Sequence, residues 1–325
     1  MNSTIRPSGR RAGTGLIGLT LLALLAAACG GGSTSSSSAA VSGLSKVSSI
    51  ANEVPSDIRS KGAIQVATDA TYAPNEYIDP SDGQIKGWDI DLAHAVSTVL
   101  GMPFVISNAD FATIVPDLGT RYDISFSSFT PNAEREMTVD FVTYYQAGES
   151  WIIKKGGPKI TMASDLCGHT VAVETGTVEE SDAWGFIGKK PDGSAISGDT
   201  NNCAAAGKPD ITVHSFVKQT EADTDLLSGR SDVGWSDQPV AYYQNKLNPD
   251  LSVSGSPCSV APYGIAVAKN SGLIKPLTDA IKYLIDNGYY TKILKNWKVQ
   301  AGAIKSSDVA LNNNNTVGSS CVPTY

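Results

Sequence analysis

The sequence predicts an α/β protein of two lobes facing each other across a cleft, and three observations carry that reading. Strand-like and helix-like segments alternate along the chain, which calls for a largely parallel sheet covered by helices on both faces. The alternation restarts at "HTVAVET" (169–175), so the chain holds two such units. Three short polar clusters, "SSFT" (127–130), "ETGT" (174–177) and "WSDQ" (235–238), each follow a predicted strand. Strand C-termini are where open α/β sheets bind ligands, and clusters on both units would face each other.

The elements follow in order. "AIQVATDA" (63–70) alternates apolar and polar positions, as a strand does. In "GWDIDLAHAVSTVLGMP" (87–103), Ile90, Ala93, Val96 and Leu100 recur at helical spacing. Asp89 and Asp91 sit in its first turn, and Gly101 with Pro103 marks its end. "PFVIS" is a second strand, "ATIVPDLG" a short helical piece and "YDISF" a third strand. The second unit reads strand "HTVAVET", helix "VEESDAW", strand "DITVHSF", helix "QTEADTDLLSG" and strand "SDVGWSD". "YGIAVAK" and a helix over "LIKPLTDAIKYLIDNG" follow, with Ile274, Leu277, Ile281 and Leu284 on one face. "DNGYYTKILKNW" reads as a packing helix on the first lobe, and the asparagines at 312–315 as a disordered or loosely attached tail.

A chain of 325 residues, 41% hydrophobic and 18% charged, has enough apolar mass for one or two cores. Its formal net charge of −7 excludes nucleic acid as the expected partner, since phosphate binding needs a basic face. The histidines (His94, His169, His214) are scattered and no cysteine pair has zinc-ligand spacing, so neither a metal nor a cofactor is expected. No G-x-S-x-G nucleophile is present, and "GTGLIG" (13–18) falls inside an apolar leader, where it cannot cradle a dinucleotide.

That leader has a basic start (Arg6, Arg10, Arg11) and the apolar run "LIGLTLLALLAAAC", too short to span a bilayer comfortably. Residues 1–28 are read as a lipoprotein signal peptide, because "AAAC" (26–29) is similar to a lipobox ending in Cys29. Cleavage would leave Cys29 as the lipidated N-terminus; the plainer alternative is an ordinary secretory leader. Residues 29–55, opening "CGGGSTSSSSAAVSG", are read as a Ser/Gly-rich tether. The expected location is the extracytoplasmic face of the cell membrane, held there by lipid.

Setting Cys29 aside leaves Cys167, Cys203, Cys258 and Cys321, an even set in an exported chain. Four cysteines allow three pairings. The favoured one joins Cys167 to Cys203 across a loop-rich segment, which closing would stabilise by about 3–4 kcal/mol. Cys258 with Cys321 would then pin the C-terminal tail.

Beyond these readings, the chain resembles the bacterial extracellular solute-binding proteins of family 3, the polar amino-acid-binding subunits of ABC importers. The resemblance runs from Lys61 to Val299 through "KGAIQVATDATYAP", "GWDIDLAHAVSTVLG", "DLGTRYDISFSSFTPNAEREMTVDF", "GHTVAVETGT", "LLSGRSDVGWSDQPVAYY" and "NGYYTKILKNW". Its "SSFTPNAEREMTVDFVTYYQAG" wording is most similar to actinobacterial lipoprotein members. The resemblance implies a type II periplasmic-binding-protein fold, with two lobes joined by two crossover strands. Lobe 1 would comprise residues 56–152 and 262–325, and lobe 2 residues 153–261. It further implies a lipid-anchored monomer that binds a free polar L-amino acid by cleft closure and passes it to a permease, without catalysis.

The resemblance also implies a ligand site, position by position. Ser127, Ser128, Phe129, Thr130 and Arg135 match the segment that takes the ligand's acid end. Arg135 would pair with the α-carboxylate through its planar fork, helped by the Thr130 backbone N–H. The Ser128 and Thr130 hydroxyls would accept from the α-ammonium. Asp237 would hold that ammonium from the second lobe, and Thr177 would donate to the carboxylate, with Val178 adding its backbone N–H. Tyr72 would stack on the ligand side chain, and Phe111 would form another apolar wall. Asp69 matches an acid that contacts cationic side chains in basic-amino-acid binders; the equal alternative is a strand-end carboxylate capping local amides. Asn75 stands where the family commonly has Phe, which would remove one aromatic wall and keeps glutamine or another polar ligand open. Read without the family, Arg135 is a surface arginine at a helix entry, Asp237 a helix N-cap and Tyr72 a core aromatic. Two other functions share the fold: a sensing module for a signalling kinase, and a dehydratase-like enzyme.

Overall fold

The computed structural model describes residues 42–322. The leader, Cys29 and the first residues of the tether lie outside them. Two short helices, α1 (Ser48–Ala51) and α2 (Ser56–Lys61), lead into β1 (Ile64–Thr68). A small antiparallel sheet follows, made of β2 (Thr71–Tyr72), β3 (Glu76–Ile78) and β4 (Ile85–Lys86). Next come α3 (Trp88–Leu100), β5 (Phe104–Asn108), α4 (Phe111–Asp117), β6 (Ile124–Phe129) and α5 (Ala133–Thr138). The long strand β7 (Val139–Lys154) carries the chain into β8 (Thr170–Glu174), α6 (Val178–Phe186), α7 (Asn202–Ala205) and β9 (Thr212–Phe216). Then α8 (Gln219–Ser228), β10 (Val233–Asp237) and α9 (Gln238–Leu247) precede β11 (Leu251–Ala268), which returns to α10 (Ile274–Asp286) and α11 (Tyr289–Trp297).

One eight-stranded sheet runs through the molecule in the order β5-β1-β6-β11-β7-β10-β8-β9. The parallel trio β5-β1-β6 belongs to the first series of elements and β10-β8-β9 to the second. Between them β11 and β7 lie antiparallel to each other, from Ala268 opposite Val139 to Leu251 opposite Lys154. The sheet is therefore mixed where the sequence reading had it largely parallel, because the chain crosses once in each direction. This is the two-lobed, cleft-bearing architecture expected, and the crossover strands are its spine.

Two large cores flank that spine. The first gathers Trp88, Leu92, Val96, Ile124, Phe126, Tyr144, Ile281 and Ile293. The second gathers Trp151, Val171, Phe186, Trp235 and both disulfides, Cys167–Cys203 and Cys258–Cys321. A third cluster, with Tyr72, Phe111, Phe129 and Phe141, lies between α4 and the ends of β1 and β6. At the head of α3, Gly87 has φ +143°, and a Cβ there would sit 1.8 Å from the Asn75 carbonyl oxygen. Only glycine lets the helix start against that loop.

Two expectations about the ends are corrected. Residues 44–54, assigned by composition to the tether, fold onto the first core: Ile50, Ala51 and Val54 are buried, and Leu44 and Val47 pack beside them. Leu44, Val47, Ile50 and Val54 recur at helical spacing, which outweighs the serine-rich surroundings. The asparagine tail is not loosely attached. Asn312 bonds Phe141 in both directions and Asp140 through its Nδ2, and Thr143 donates its N–H to the Ala310 carbonyl at 3.0 Å. β10 meets β7 only from Glu149 to Ile153, so the earlier part of β7 presents an open edge that the tail covers. Further on, Val317 bonds Val260, and Cys321 and Val322 pack in the second core.

Candidate functional site

The three strand-end clusters meet as the sequence predicted. A small, nearly closed cavity is lined by Tyr72, Phe111, Ser127, Ser128, Thr130 and Arg135 from one side. Thr177, Val178, Glu179, Gln219, Ser236 and Asp237 line it from the other. Eight of the nine anticipated ligand residues therefore share one space; Asp69 stands just behind its wall.

Arg135 is placed by the helix it begins. Asn132 caps α5 by accepting the Arg135 N–H at 2.8 Å, which turns the side chain toward the cavity. The guanidinium lies 5.4 Å from the Phe111 ring centre and 5.2 Å from that of Phe129, two rings that stack on each other. Its Nη1 donates to the Thr130 carbonyl and its Nη2 to the Gly176 carbonyl, each at 2.7 Å. Those carbonyls come from opposite sides of the cavity, so one side chain already ties both. Gly176 has φ +85°, and a Cβ there would come within 3.0 Å of the Ala112 side chain, so the turn has no room for a larger residue.

Ser128 has a left-handed backbone, φ +53°, at the corner where β6 ends. A network beneath holds that strained turn: the Ser128 N–H donates to Asp89, whose same oxygen accepts from the Tyr144 hydroxyl at 2.7 Å. Asn75 donates to the Ser128 hydroxyl at 3.0 Å and accepts from Trp88 Nε1 at 2.6 Å. Asn75 is fully buried and takes no part in the cavity lining; it pins Ser128 from beneath. Tyr72 and Phe111 touch at 5.8 Å between ring centres and supply the aromatic side of the cavity. Asp69 has the local bonds foreseen in its plainer reading: one oxygen accepts from the Thr71 hydroxyl, the other from the Phe111 N–H.

On the far side, Thr177 N-caps α6: its hydroxyl accepts from Glu180 and donates to the Glu174 carbonyl at 2.7 Å. Its side chain is thus committed locally, and in the same turn the Thr177 N–H donates to the Glu174 carbonyl and the Gly176 N–H to Glu180. Asp237 occupies the N-cap position of α9 but makes no capping bond. Burial raises its carboxyl to about 7, against the pull of Tyr263 and Arg135. Glu179, buried and with Oε1 unpartnered, is pushed well above the usual carboxylate range by burial and then by Asp237. The cavity therefore opposes one guanidinium to a set of under-neutralised carboxyls. That arrangement suits a guest carrying both an acid and an amine.

Sequence reasoning did not single out Glu179, Gln219 or Ser236. Glu179 is one of two acids in the first turn of a helix and Gln219 opens another helix, places where polar residues are ordinary. Ser236 adjoins Asp237, and only its strand-end position hinted at the cavity.

A family model described as bacterial extracellular solute-binding proteins, family 3, matches residues 64–300. The arginine-binding protein ArgT of Corynebacterium glutamicum is 32% identical over 261 residues, covering 79% of this chain and 81% of that protein. The glutamine-binding protein GlnH of Bacillus subtilis is 30% identical over 226 residues, covering 67% and 75%. Among solved structures, an ancestral arginine-binding protein bound to arginine matches with a TM-score of 0.63 and 32% identity, over 73% of this chain and 98% of that one.

Proposed function

The chain belongs to the bacterial extracellular solute-binding proteins, family 3, and from that premise we propose that it is the lipid-anchored receptor of an ABC importer, closing around one free polar L-amino acid. Cys29 carries the anchor in this reading, and the receptor works as a monomer that hands its ligand to the permease. The observation that carries the proposal is the opposition of Arg135 and Asp237 across one cavity, from elements on opposite sides of the spine. Arg135 uses two of its five donors on carbonyls, which leaves others for the α-carboxylate. Asp237, with no capping bond to make, accepts from the α-ammonium, as do Ser128 and Thr130. Val178 supplies its backbone N–H, joined by that of Thr177 once it leaves the Glu174 carbonyl, and Tyr72 and Phe111 flank the ligand side chain with Asp69 beyond. Relatives named for arginine and for glutamine bracket the ligand class.

A thermal-shift screen of the free amino acids tests the reading. Binding to the folded state alone adds about 4 kcal/mol at a thousandfold excess over Kd. Arg135→Ala and Asp237→Ala should each abolish the shift while leaving circular dichroism unchanged, since losing a buried charged partner costs about 2–5 kcal/mol. A shift that survives in either variant refutes the two-ended clamp.

A further inference from the structure

The C-terminal tail lies beyond residues 64–300, the span shared with the family, so the family pattern does not account for it. Its two ends are fixed on different cores. At the near end, the Asn312 N–H donates to the Phe141 carbonyl at 2.9 Å, and Asn312 Oδ1 accepts the Phe141 N–H at 2.7 Å. The Ala310 N–H donates to the Thr143 hydroxyl at 2.9 Å, and Leu311 lies opposite Val142, a member of the first core. Asn314 donates to Glu136 at 3.3 Å, on α5, the helix that carries Arg135. At the far end, the Val317 N–H donates to the Val260 carbonyl at 2.7 Å and the Ser259 N–H to the Ser319 carbonyl at 2.8 Å. The Cys258–Cys321 bond then fastens the tail to the second core.

Between these anchors the tail changes edges. The side of β7 away from β11 is open before Glu149, where pairing with β10 begins. The side of β11 away from β7 is open at Val260, since β6 pairs with β11 only from Gly264 to Val267. A segment that pairs first with one outer edge and then with the other has to cross the two-stranded ribbon joining the cores. Only residues 313–316 separate Asn312 from Val317, and an extended chain gains at most about 3.5 Å per residue, so the crossing has little slack.

Resting on the receptor reading above, we propose that the tail is a third hinge strand: pinned at Asn312 on one core and by Cys258–Cys321 on the other, it restrains opening and thereby tightens amino-acid binding. It does so without touching the ligand, for no residue from 308 to 322 lines the cavity. Opening by rotation about the ribbon shifts one core against the other. Anchors joined by so short a link then either limit the rotation or let go. Both outcomes penalise the open form, whereas every anchor is intact in this nearly closed one. A ligand that binds on closing gains affinity as the closed form gains population.

Two variants release one end each. Cys258→Ala combined with Cys321→Ala frees the far end and leaves no thiol to mispair with Cys167 or Cys203. Asn312→Gly removes the side-chain bonds at the near end and suits that residue's φ of +50°. Calorimetry with L-arginine and L-glutamine gives the affinities, and small-angle X-ray scattering gives the radius of gyration with and without each amino acid. Each variant should weaken binding about fivefold or more, by the same factor for both amino acids, and should enlarge the unliganded radius but not the liganded one. The equal factor separates a restraint on the hinge from a contact in the site. Unaltered affinity in both variants, an unliganded radius that does not grow, or an effect confined to the cysteine pair overturns the third strand. Asn312→Gly decides the matter alone if the cysteine variant does not fold. An unaltered protein that binds no amino acid defeats the receptor reading, and the unliganded radii still judge the restraint.

Discussion

Asn75 follows an Ala-Pro pair and lies fully buried beneath the site, outside the cavity lining. Its amide joins Trp88 of α3 to Ser128 at the end of β6, and so supports the left-handed corner at which Ser128 meets the cavity. Replacing it with leucine, of similar size, leaves the Trp88 N–H and Ser128 hydroxyl without their partner. Each orphaned group costs about 1–3 kcal/mol. Asn75→Leu should accordingly lower the midpoint of denaturant unfolding without changing its slope, and should weaken amino-acid binding. A variant as stable as the parent would show that Asn75 pins nothing. Arg135 and Asp237 were legible because their residue types and their places at strand ends agreed with a family pattern. Asn75 was not, because a sequence does not reveal which face of a loop turns inward.

Among the elements, those with a clear period were readable. The 3.6-residue repeat of α3 and α10 and the alternation of β1 stand in the sequence as they stand in the fold. β7 escaped: "VDFVTYYQAGESWIIK" is buried at nearly every position, so a strand covered on both faces shows no alternation. α9 was legible only at its start, where Asp237 reads as an N-cap, and not in its extent. The segment before β1 was misread through its serines. Val54 is 1% exposed there, and truncating it removes two buried carbons at about 0.8 kcal/mol each, plus a cavity term. Val54→Ala should cost about 2 kcal/mol in equilibrium unfolding. A change within error would mean that residues 44–54 are not part of the folding unit.

Taken as a whole, the molecule hinges on strands shared by both cores, and the C-terminal tail lies across the same junction. The tail pairs with Phe141 and Thr143 where β7 leaves the first core, then with Val260 and Ser259 where β11 crosses the second. The Cys258–Cys321 bond fastens its end. Cys321→Ser should therefore lower stability by about 2–5 kcal/mol, and amide exchange should quicken from Ala310 to Ser319. Unaltered exchange there would mean that backbone pairing alone holds the tail. The even cysteine count and the preferred pairing were visible in the sequence. That the tail straps both cores was not, because pairing over such separations leaves no local pattern.

The sequence by itself determined the alternation of elements, the family and most of the residues that line the cavity, since periodicity and short motifs are local and survive as patterns. Only the tertiary structure decided which carboxyls face one another. Glu174 and Asp69 lie far apart in the chain and meet because two units fold back across β7 and β11, and burial then pushes both carboxyls above their usual range.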